Sequence, residues 1–434
     1  MKTTIYILSV LLLLSTKSGA QNGGFAGLTA ATDLRIVPQA YSPLLIDPGL
    51  TMRSGVENIT TIHRGIALSE DALLGIHWFS ESNMAGKIGG ISGRTAKYLL
   101  LDLPLDYFSI VLGHEYYGHG ARYRELNIDG IHYGFSMPPP YGLGGGEASI
   151  DGALPISLHE DLVIWAGGLE VQSLIGRNLS MRWMLTDEIN YREASLYFWS
   201  WQIMFTYIQD TEEDLFDGTR DNDLRAYTRI INAGAVYTDP DTIIMTVKDL
   251  KSKTKINVAN PFLYYSLFSI LKVYMWDGNS SGGISTLKLG GIDYLPSLRA
   301  GLTPFGIEYH LENYLRHRNT VSLIDFRIGD QTFHDSWGGL GVFIQNIYEP
   351  KPFSFDMHVD IWNQPEIQLR SNPTAHRGGG MGGAFSVRGH YNLSDSKHPL
   401  SAALEIGYKS IGFLEGYNLD ASPILLIGLA LALR

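Results

Sequence analysis

A two-residue alternation of apolar and polar side chains runs through the last third of the chain and strongly constrains the fold. In Phe353–Trp362, for example, Phe, Met, Val and Ile alternate with Ser, Asp and His. Successive side chains of a β-strand point to opposite faces of a sheet, so this period predicts strands with one apolar face. The predicted strands are Ser297–Thr303, Phe305–Arg316, Thr320–Ile328, Trp337–Tyr348, Phe353–Trp362, Phe385–Leu393, Ala402–Lys409 and Leu425–Leu433. We therefore expect an antiparallel β domain over residues 283–434.

Two architectures produce this pattern. A soluble antiparallel sheet places its apolar face inside, whereas a transmembrane β-barrel turns it toward lipid and keeps polar residues in the lumen. Strand lengths near the ~9–11 residues of membrane barrels, and aromatic residues near strand ends, favour the barrel. Residues 21–103 are interpreted as short strands that could complete it, with Leu44–Met52 and Thr95–Leu103 as the candidates.

The last predicted strand resembles the closing strand of bacterial outer-membrane proteins. It departs from their pattern because it ends in Leu433-Arg434 instead of an aromatic residue. The resemblance implies an outer-membrane β-barrel, and the alternative is a soluble antiparallel β-sheet domain.

The N-terminus and the composition indicate export. Lys2, the apolar run Ile5–Leu14 and the small residues Ser18-Gly19-Ala20 match a secretory signal peptide, expected over residues 1–20. A chain without Cys fits the bacterial cell envelope, where no disulfide framework is needed. A net charge of −11 argues against nucleic acid as a partner.

Residues 104–278 have a helical period instead. Further helices are predicted after Ser157, with Ser157 and Glu160 as a capping box, and over Glu188–Ile208, Asp223–Ala233 and Asn260–Trp276. This segment is predicted to be a helical domain that carries a metal site.

The candidate site is the segment His114-Glu115-Tyr116-Tyr117-Gly118-His119. Two imidazoles and a carboxylate on one helix are typical of zinc-dependent hydrolases. The usual motif separates its histidines by four residues, but here the separation is five, which rotates the second by about 140° on an ideal helix. A π-bulge would bring both to one side, and Gly118 is where the backbone could accommodate it.

This HExxGH form is similar to the motif variant of the dipeptidyl peptidase III family. The resemblance implies a zincin-type metallopeptidase in which His114 and His119 bind zinc and Glu115 activates water. It also implies that the third ligand is a glutamate from a later helix.

Glu170 is the predicted third ligand. It follows Gly167-Gly168, and two successive glycines inside a helix cost roughly 1 kcal/mol each relative to Ala. Close packing against the bulged helix would account for them, and a simple packing notch with a solvated Glu170 is the alternative. A second group of acids and histidines alternates with apolar residues on two strands and could form a metal site if those strands are neighbours. A mixed-charge barrel lumen or a solvated face is preferred for these residues, Glu308, His310, Glu312, Asp356, His358 and Asp360.

The sequence thus predicts an exported α+β protein, with a helical zincin-like unit associated with an antiparallel β-barrel. The predicted function is zinc-dependent cleavage of a peptide or protein substrate in the bacterial envelope, with the outer membrane as a partner. The alternative function is a non-catalytic barrel, either a channel or a structural protein, with a helical plug.

Overall fold

The computed structural model describes residues 40–73, 83–136, 145–151, 156–212, 222–236, 245–330, 336–367, 369, 379–393 and 400–433. The predicted signal peptide, residues 1–20, lies outside this part of the chain. All of the described residues belong to one compact unit, Val37–Arg434, in which helices and sheet pack together.

The largest sheet of the described structure has ten antiparallel strands, in the order β1-β14-β13-β12-β11-β10-β9-β8-β7-β6. Its strands are β1 (Ala40–Ile46), β6 (Leu287–Leu289), β7 (Ile292–Thr303), β8 (Gly306–His317), β9 (Thr320–Gly329), β10 (Gly338–Tyr348), β11 (Phe353–Gln364), β12 (Gly380–Asn392), β13 (Leu400–Lys409) and β14 (Ser422–Leu433). Two short pairs lie outside it, β2 (Ile131–Phe135) with β3 (Gly146–Ile150), and β4 (Glu188–Asn190) with β5 (Ser281–Gly283). The eight strands predicted from the alternation are confirmed as β7–β14.

The sheet does not close into the predicted barrel within the described residues. β1 and β6 form its two edges and do not pair with each other. Only one strand of the described N-terminal segment joins the sheet, because β1 pairs with β14 and the residues after it are helical. The fold is therefore α+β with a large open antiparallel sheet.

An asparagine from a helical segment covers the backbone at each edge. Asn58 accepts a hydrogen bond from the Leu45 N–H at 2.7 Å and donates to the Leu45 carbonyl at 3.0 Å. At the other side of the sheet, β6 pairs only with Ile292–Tyr294 of β7. In the uncovered part of β7, Asn257 accepts from the Ala300 N–H at 2.6 Å and donates to the Ala300 carbonyl at 3.4 Å. An amide side chain thus reproduces at each edge the pairing that a neighbouring strand would give, which protects an otherwise open edge.

We expect Asn257→Ala to destabilise the fold. Asn257 is fully buried, so its loss leaves the Ala300 N–H and C=O without partners, at about 1–3 kcal/mol for each group. Urea unfolding followed by circular dichroism measures the change. Asn58→Ala is the matched control, since Asn58 is half-buried and water can replace its amide; equal losses in the two variants would contradict this account.

The helices lie before and between these strands. They are α1 (Met52–Leu73), α2 (Met84–Lys97), α3 (Leu103–Leu112), α4 (Gly120–Glu125), α5 (Leu158–Thr186), α6 (Tyr191–Gln202), α7 (Ile208–Asp210), α8 (Asp223–Val236), α9 (Val247–Lys253) and α10 (Pro261–Phe268). The described helices also include four π-helical segments, π1 (Tyr98–Asp102), π2 (Gly113–His119), π3 (Ile203–Tyr207) and π4 (Ser269–Trp276). The predicted capping box is present at α5, where Ser157 and Glu160 bond reciprocally.

α2, π1, α3, π2 and α4 follow one another without a break. The predicted strand Thr95–Leu103 is wrong, because these residues form the end of α2, the whole of π1 and the start of α3. Pro104 lacks a backbone N–H and would normally end a helix, and the wider π turn directly before it accommodates the proline.

α5 is the centre of the molecule. It is buried along most of its length, and Trp183, Leu179 and Ile175 share a core cluster with residues of α6, α10, β8 and β9. Between Ile175 and Leu179, Arg177 of α5 pairs with Glu312 of β8 at 3.4 Å and with Glu415, between β13 and β14, at 2.6 Å. The polar face of the sheet is therefore the one that packs on α5.

None of the helices in the described part of the chain combines the length and the apolar character that a membrane-crossing helix requires.

Candidate metal centre

The π segment places the two predicted histidines on one side of the helix. π2 covers the whole motif, Gly113–His119, so the bulge predicted at Gly118 is confirmed. The imidazole rings of His114 and His119 lie edge to face, with 4.9 Å between their centroids. The wider turn thus accommodates the extra residue of the motif, and both rings can face one metal ion.

Glycines allow this helix to approach α5 closely. A Cβ atom on Gly118 would lie 2.8 Å from the carbonyl oxygen of Gly167, and one on Gly168 would lie 2.3 Å from the His114 imidazole. The predicted close packing of Gly167 and Gly168 of α5 against the bulged helix is therefore confirmed. They fix the distance between α5 and the histidines.

Asp223, the first residue of α8, completes the group. Its Oδ2 lies 3.0 Å from His114 Nε2 and 3.4 Å from His119 Nε2. Ligands about 2.0–2.1 Å from a tetrahedral zinc ion are separated by about 3.3 Å, and both distances from Asp223 Oδ2 are near this value. All three ligand atoms lie within 4.8 Å of one another, so they could hold one metal ion. Two imidazoles and one carboxylate also match the three-ligand sets of catalytic zinc sites.

The surroundings orient the ligands. The His119 Nδ1 lies 2.6 Å from the Ile164 carbonyl oxygen of α5, which favours a proton on Nδ1 and directs Nε2 toward Asp223. The backbone N–H of Asp223 donates to the hydroxyl of Tyr207, at 3.3 Å. His119 is therefore held by a contact from α5, and Asp223 by a contact from π3.

The electrostatics favour a cation. Burial acts to lower the pKa of His119, but Asp223 and Glu115 raise it to about 9. Burial acts to raise the pKa of Asp223, and the two histidines nevertheless hold it well below its usual range. The carboxylates of Asp223 and Glu115 thus give the two histidines negatively charged surroundings, which attract a cation.

Glu115, the predicted catalytic residue, lies next to His114 and is buried. It contacts β3, where a Cβ atom on Gly146 would lie 2.5 Å from the Glu115 Cγ. Desolvation raises the pKa of its carboxyl, while the two histidines act to lower it. Glu115 is thus a buried carboxylate that interacts electrostatically with both histidines and with Asp223.

Glu170, the predicted third ligand, does not join the histidines. Its carboxylate accepts two hydrogen bonds from Arg122, at 2.5 and 3.1 Å, and a third from the backbone N–H of Gly416 at 2.6 Å. Its place on α5 directs it away from the group and toward α4 and the segment between β13 and β14. The group that could hold a metal ion is therefore His114, His119 and Asp223, without the predicted Glu170.

We expect Glu170→Gln to destabilise the protein by about 1–3 kcal/mol, because buried Arg122 loses one of its two carboxylate partners and keeps Glu125 as the other. Thermal unfolding measures this loss. Asp151→Asn, which removes the exposed partner of His132, should leave stability nearly unchanged. If Glu170→Gln unfolded at the same temperature as wild-type protein, the pair of Glu170 with Arg122 would not be needed for the stability of the fold.

Asp223 was not predicted as a ligand from the sequence, and the reason is physical. An acidic residue at the start of a helix already has an ordinary explanation in the helix dipole. One signal was available, since Asn222 supplies the N-cap of α8 by accepting from the N–H groups of Leu224 and Arg225. Asp223 is therefore not needed as the cap, and its carboxylate is free for another role.

A second set of possible ligands, His310, Glu312 and Asp325, lies on the inner face of the sheet. Arginines already balance its charge: Arg299 lies 2.7 Å from Glu312 and 3.0 Å from His310 Nδ1, and it also pairs with Glu415 at 2.6 Å. This group is accordingly a buried ion-pair network between sheet and helices, and it is neither a solvated face nor part of a closed barrel lumen in the described residues.

Comparisons of the chain with protein-family models, with curated proteins and with solved structures find no match.

Proposed function

We propose that the protein is a zinc-dependent peptidase whose metal ligands are His114, His119 and Asp223 and whose general base is Glu115. The observation that carries this proposal is the convergence of His114 Nε2, His119 Nε2 and Asp223 Oδ2 at distances suited to one tetrahedral ion. The choice of a peptide substrate comes from the similarity of the motif to that of dipeptidyl peptidase III.

The chemistry needs only water and an amide. A zinc ion bound here would supply a Lewis acid that polarises a carbonyl and acidifies water. Glu115 removes a proton from the attacking water, the oxygen adds to the carbonyl carbon, and the C–N bond breaks as Glu115 passes the proton to the leaving amine. Because Glu115 is buried, few other water molecules can take the proton from its carboxyl before the proton reaches the leaving amine.

Metal-dependent hydrolysis of fluorescein-labelled casein and of a mixed fluorogenic peptide set tests the proposal. We expect hydrolysis by the zinc-loaded chain, loss on chelation with 1,10-phenanthroline and recovery when zinc is returned. Glu147→Gln, which removes an exposed carboxylate of the neighbouring β3, should keep its activity.

The non-catalytic alternative, a channel or structural protein, gives different results. If the protein is a channel or a structural protein, zinc-loaded wild-type protein should hydrolyse substrate no faster than the His114→Ala/His119→Ala double variant. That outcome in zinc-loaded wild-type protein would refute the peptidase proposal.

A further inference from the structure

The outer face of the sheet, defined as the face turned away from α5, is covered by exposed apolar side chains. One row of paired residues runs Leu311, Phe326, Leu340 and Ile361, and a second runs Met357, Val387, Ile406 and Leu425. Ile406 and Leu425 are 58% and 62% exposed. Soluble proteins rarely expose contiguous apolar patches of more than a few hundred Å², so this face needs an apolar environment.

The inner face has the opposite character. Glu312, Asp325 and Asp360 occupy the inward row, and all three are buried. Farther along the strands, Arg388 is paired with Glu405 at 2.8 Å. Charged residues inside and apolar residues outside are the reverse of a soluble sheet and the usual order of a membrane β-structure.

The strand lengths fit a bilayer. β7–β14 have ten to thirteen residues each. A strand needs about 9–11 residues to cross the hydrocarbon core at the usual tilt. The length of the strands and the chemistry of their outer face therefore agree, although they are independent observations.

Helical residues extend the apolar surface beyond the sheet. Three successive leucines of π1, Leu99, Leu100 and Leu101, are 43%, 68% and 62% exposed. In π4, Leu271 and Trp276 are about half exposed, at 47% and 50%. Exposed apolar residues on the sheet and on two separate helical segments favour a surrounding apolar medium over a single partner that covers one patch.

We infer that the outer face of the sheet, together with the leucines of π1, contacts the hydrocarbon core of a lipid bilayer. The helices at the two sheet edges then take the place that closing strands have in a barrel, with Asn58 and Asn257 covering the open backbone. The metal-site proposal does not enter this inference.

The position of the metal centre along the strands follows from α5. Val163 packs with Phe305 in the β7–β8 turn, whereas Arg177 reaches Glu312 in the middle of β8. The carbonyl that orients His119 belongs to Ile164, next to Val163. The metal centre consequently lies toward the strand ends, near one boundary between lipid and water, and not at the mid-plane of the bilayer.

Spin labels test the lipid contact directly, because the chain has no native Cys. Single variants Ile406→Cys, Leu425→Cys and Leu100→Cys are labelled with a nitroxide, and the full chain is reconstituted in phosphatidylcholine vesicles. Collision rates with O2, which concentrates in hydrocarbon, are compared with those of a water-soluble nickel chelate. Asp151→Cys, on an exposed side chain at β3, is the aqueous control, and Ser386→Cys, buried on the inner face, is the enclosed control.

We expect O2 to collide several-fold more often than the nickel chelate at all three test sites, and the reverse at Asp151→Cys. A higher collision rate with the nickel chelate at any test site would contradict the inference, because it would place that site in water. Exclusion of both reagents, as at Ser386→Cys, would also overturn it, since protein would then cover the face. Failure of the unlabelled wild-type chain to associate with the vesicles would be equally decisive.

Discussion

Glu115→Gln is expected to abolish most of the hydrolysis while leaving zinc bound. The amide is nearly isosteric with the carboxylate but cannot accept the proton of the attacking water. General base catalysis contributes about 10²–10⁴-fold, so kcat should fall by that factor. Steady-state hydrolysis of a fluorogenic peptide, with the zinc content measured on the same sample, checks both parts of the expectation.

The matched control for this variant is Glu147→Gln, which makes the same chemical change on β3, near Glu115. It should leave kcat within about twofold, because Glu147 is exposed and lies outside the ligand group. Loss of zinc in Glu115→Gln would show that Glu115 holds the metal; unchanged kcat would show that another group accepts the proton.

Gly168→Ala is expected to damage the metal centre from the opposite helix. Its new methyl group would lie 2.3 Å from the His114 imidazole, so either the ring or α5 must move. Overpacking of this kind costs about 1–3 kcal/mol, and displacement of a metal ligand should lower zinc affinity by at least about 10-fold. Chemical denaturation and zinc titration measure the two effects.

Gly65→Ala provides the comparison. Gly65 is also inside a helix, α1, but a Cβ atom there would meet nothing within 4 Å. This substitution should stabilise the protein by up to about 1 kcal/mol through helix propensity alone. If Gly168→Ala behaved like Gly65→Ala, the close contact of α5 with π2 would not be what positions His114.

The strands and the bulged helix were accessible from the sequence because both are local patterns. A two-residue period depends only on neighbouring side chains, and it located all eight strands from β7 to β14. The five-residue separation of His114 and His119 had one geometric solution for a shared ion, a wider turn, and π2 is that turn.

The tertiary partners were not accessible in the same way. The open edges of the sheet are covered by Asn58 and Asn257, which bond to the backbone of β1 and β7. Neither residue type marks a sheet edge by itself. Glu170 and Asp223 illustrate the same limit at the metal centre. The sequence offered several acids downstream of the motif, and only packing decides that Arg122 engages Glu170 while α8 brings Asp223 to the histidines.

Zinc titration of wild-type protein, Asp223→Ala and Glu170→Gln tests the ligand set most directly. Wild-type protein and Glu170→Gln should each bind about one zinc per chain, because Glu170 pairs with Arg122 outside the ligand group. Asp223→Ala should lower zinc affinity by more than the roughly 10–100-fold that follows when a residue hydrogen-bonded to a metal ligand is replaced. Wild-type protein that binds no zinc, or affinity that is lost in Glu170→Gln and kept in Asp223→Ala, would contradict a metal centre built from His114, His119 and Asp223.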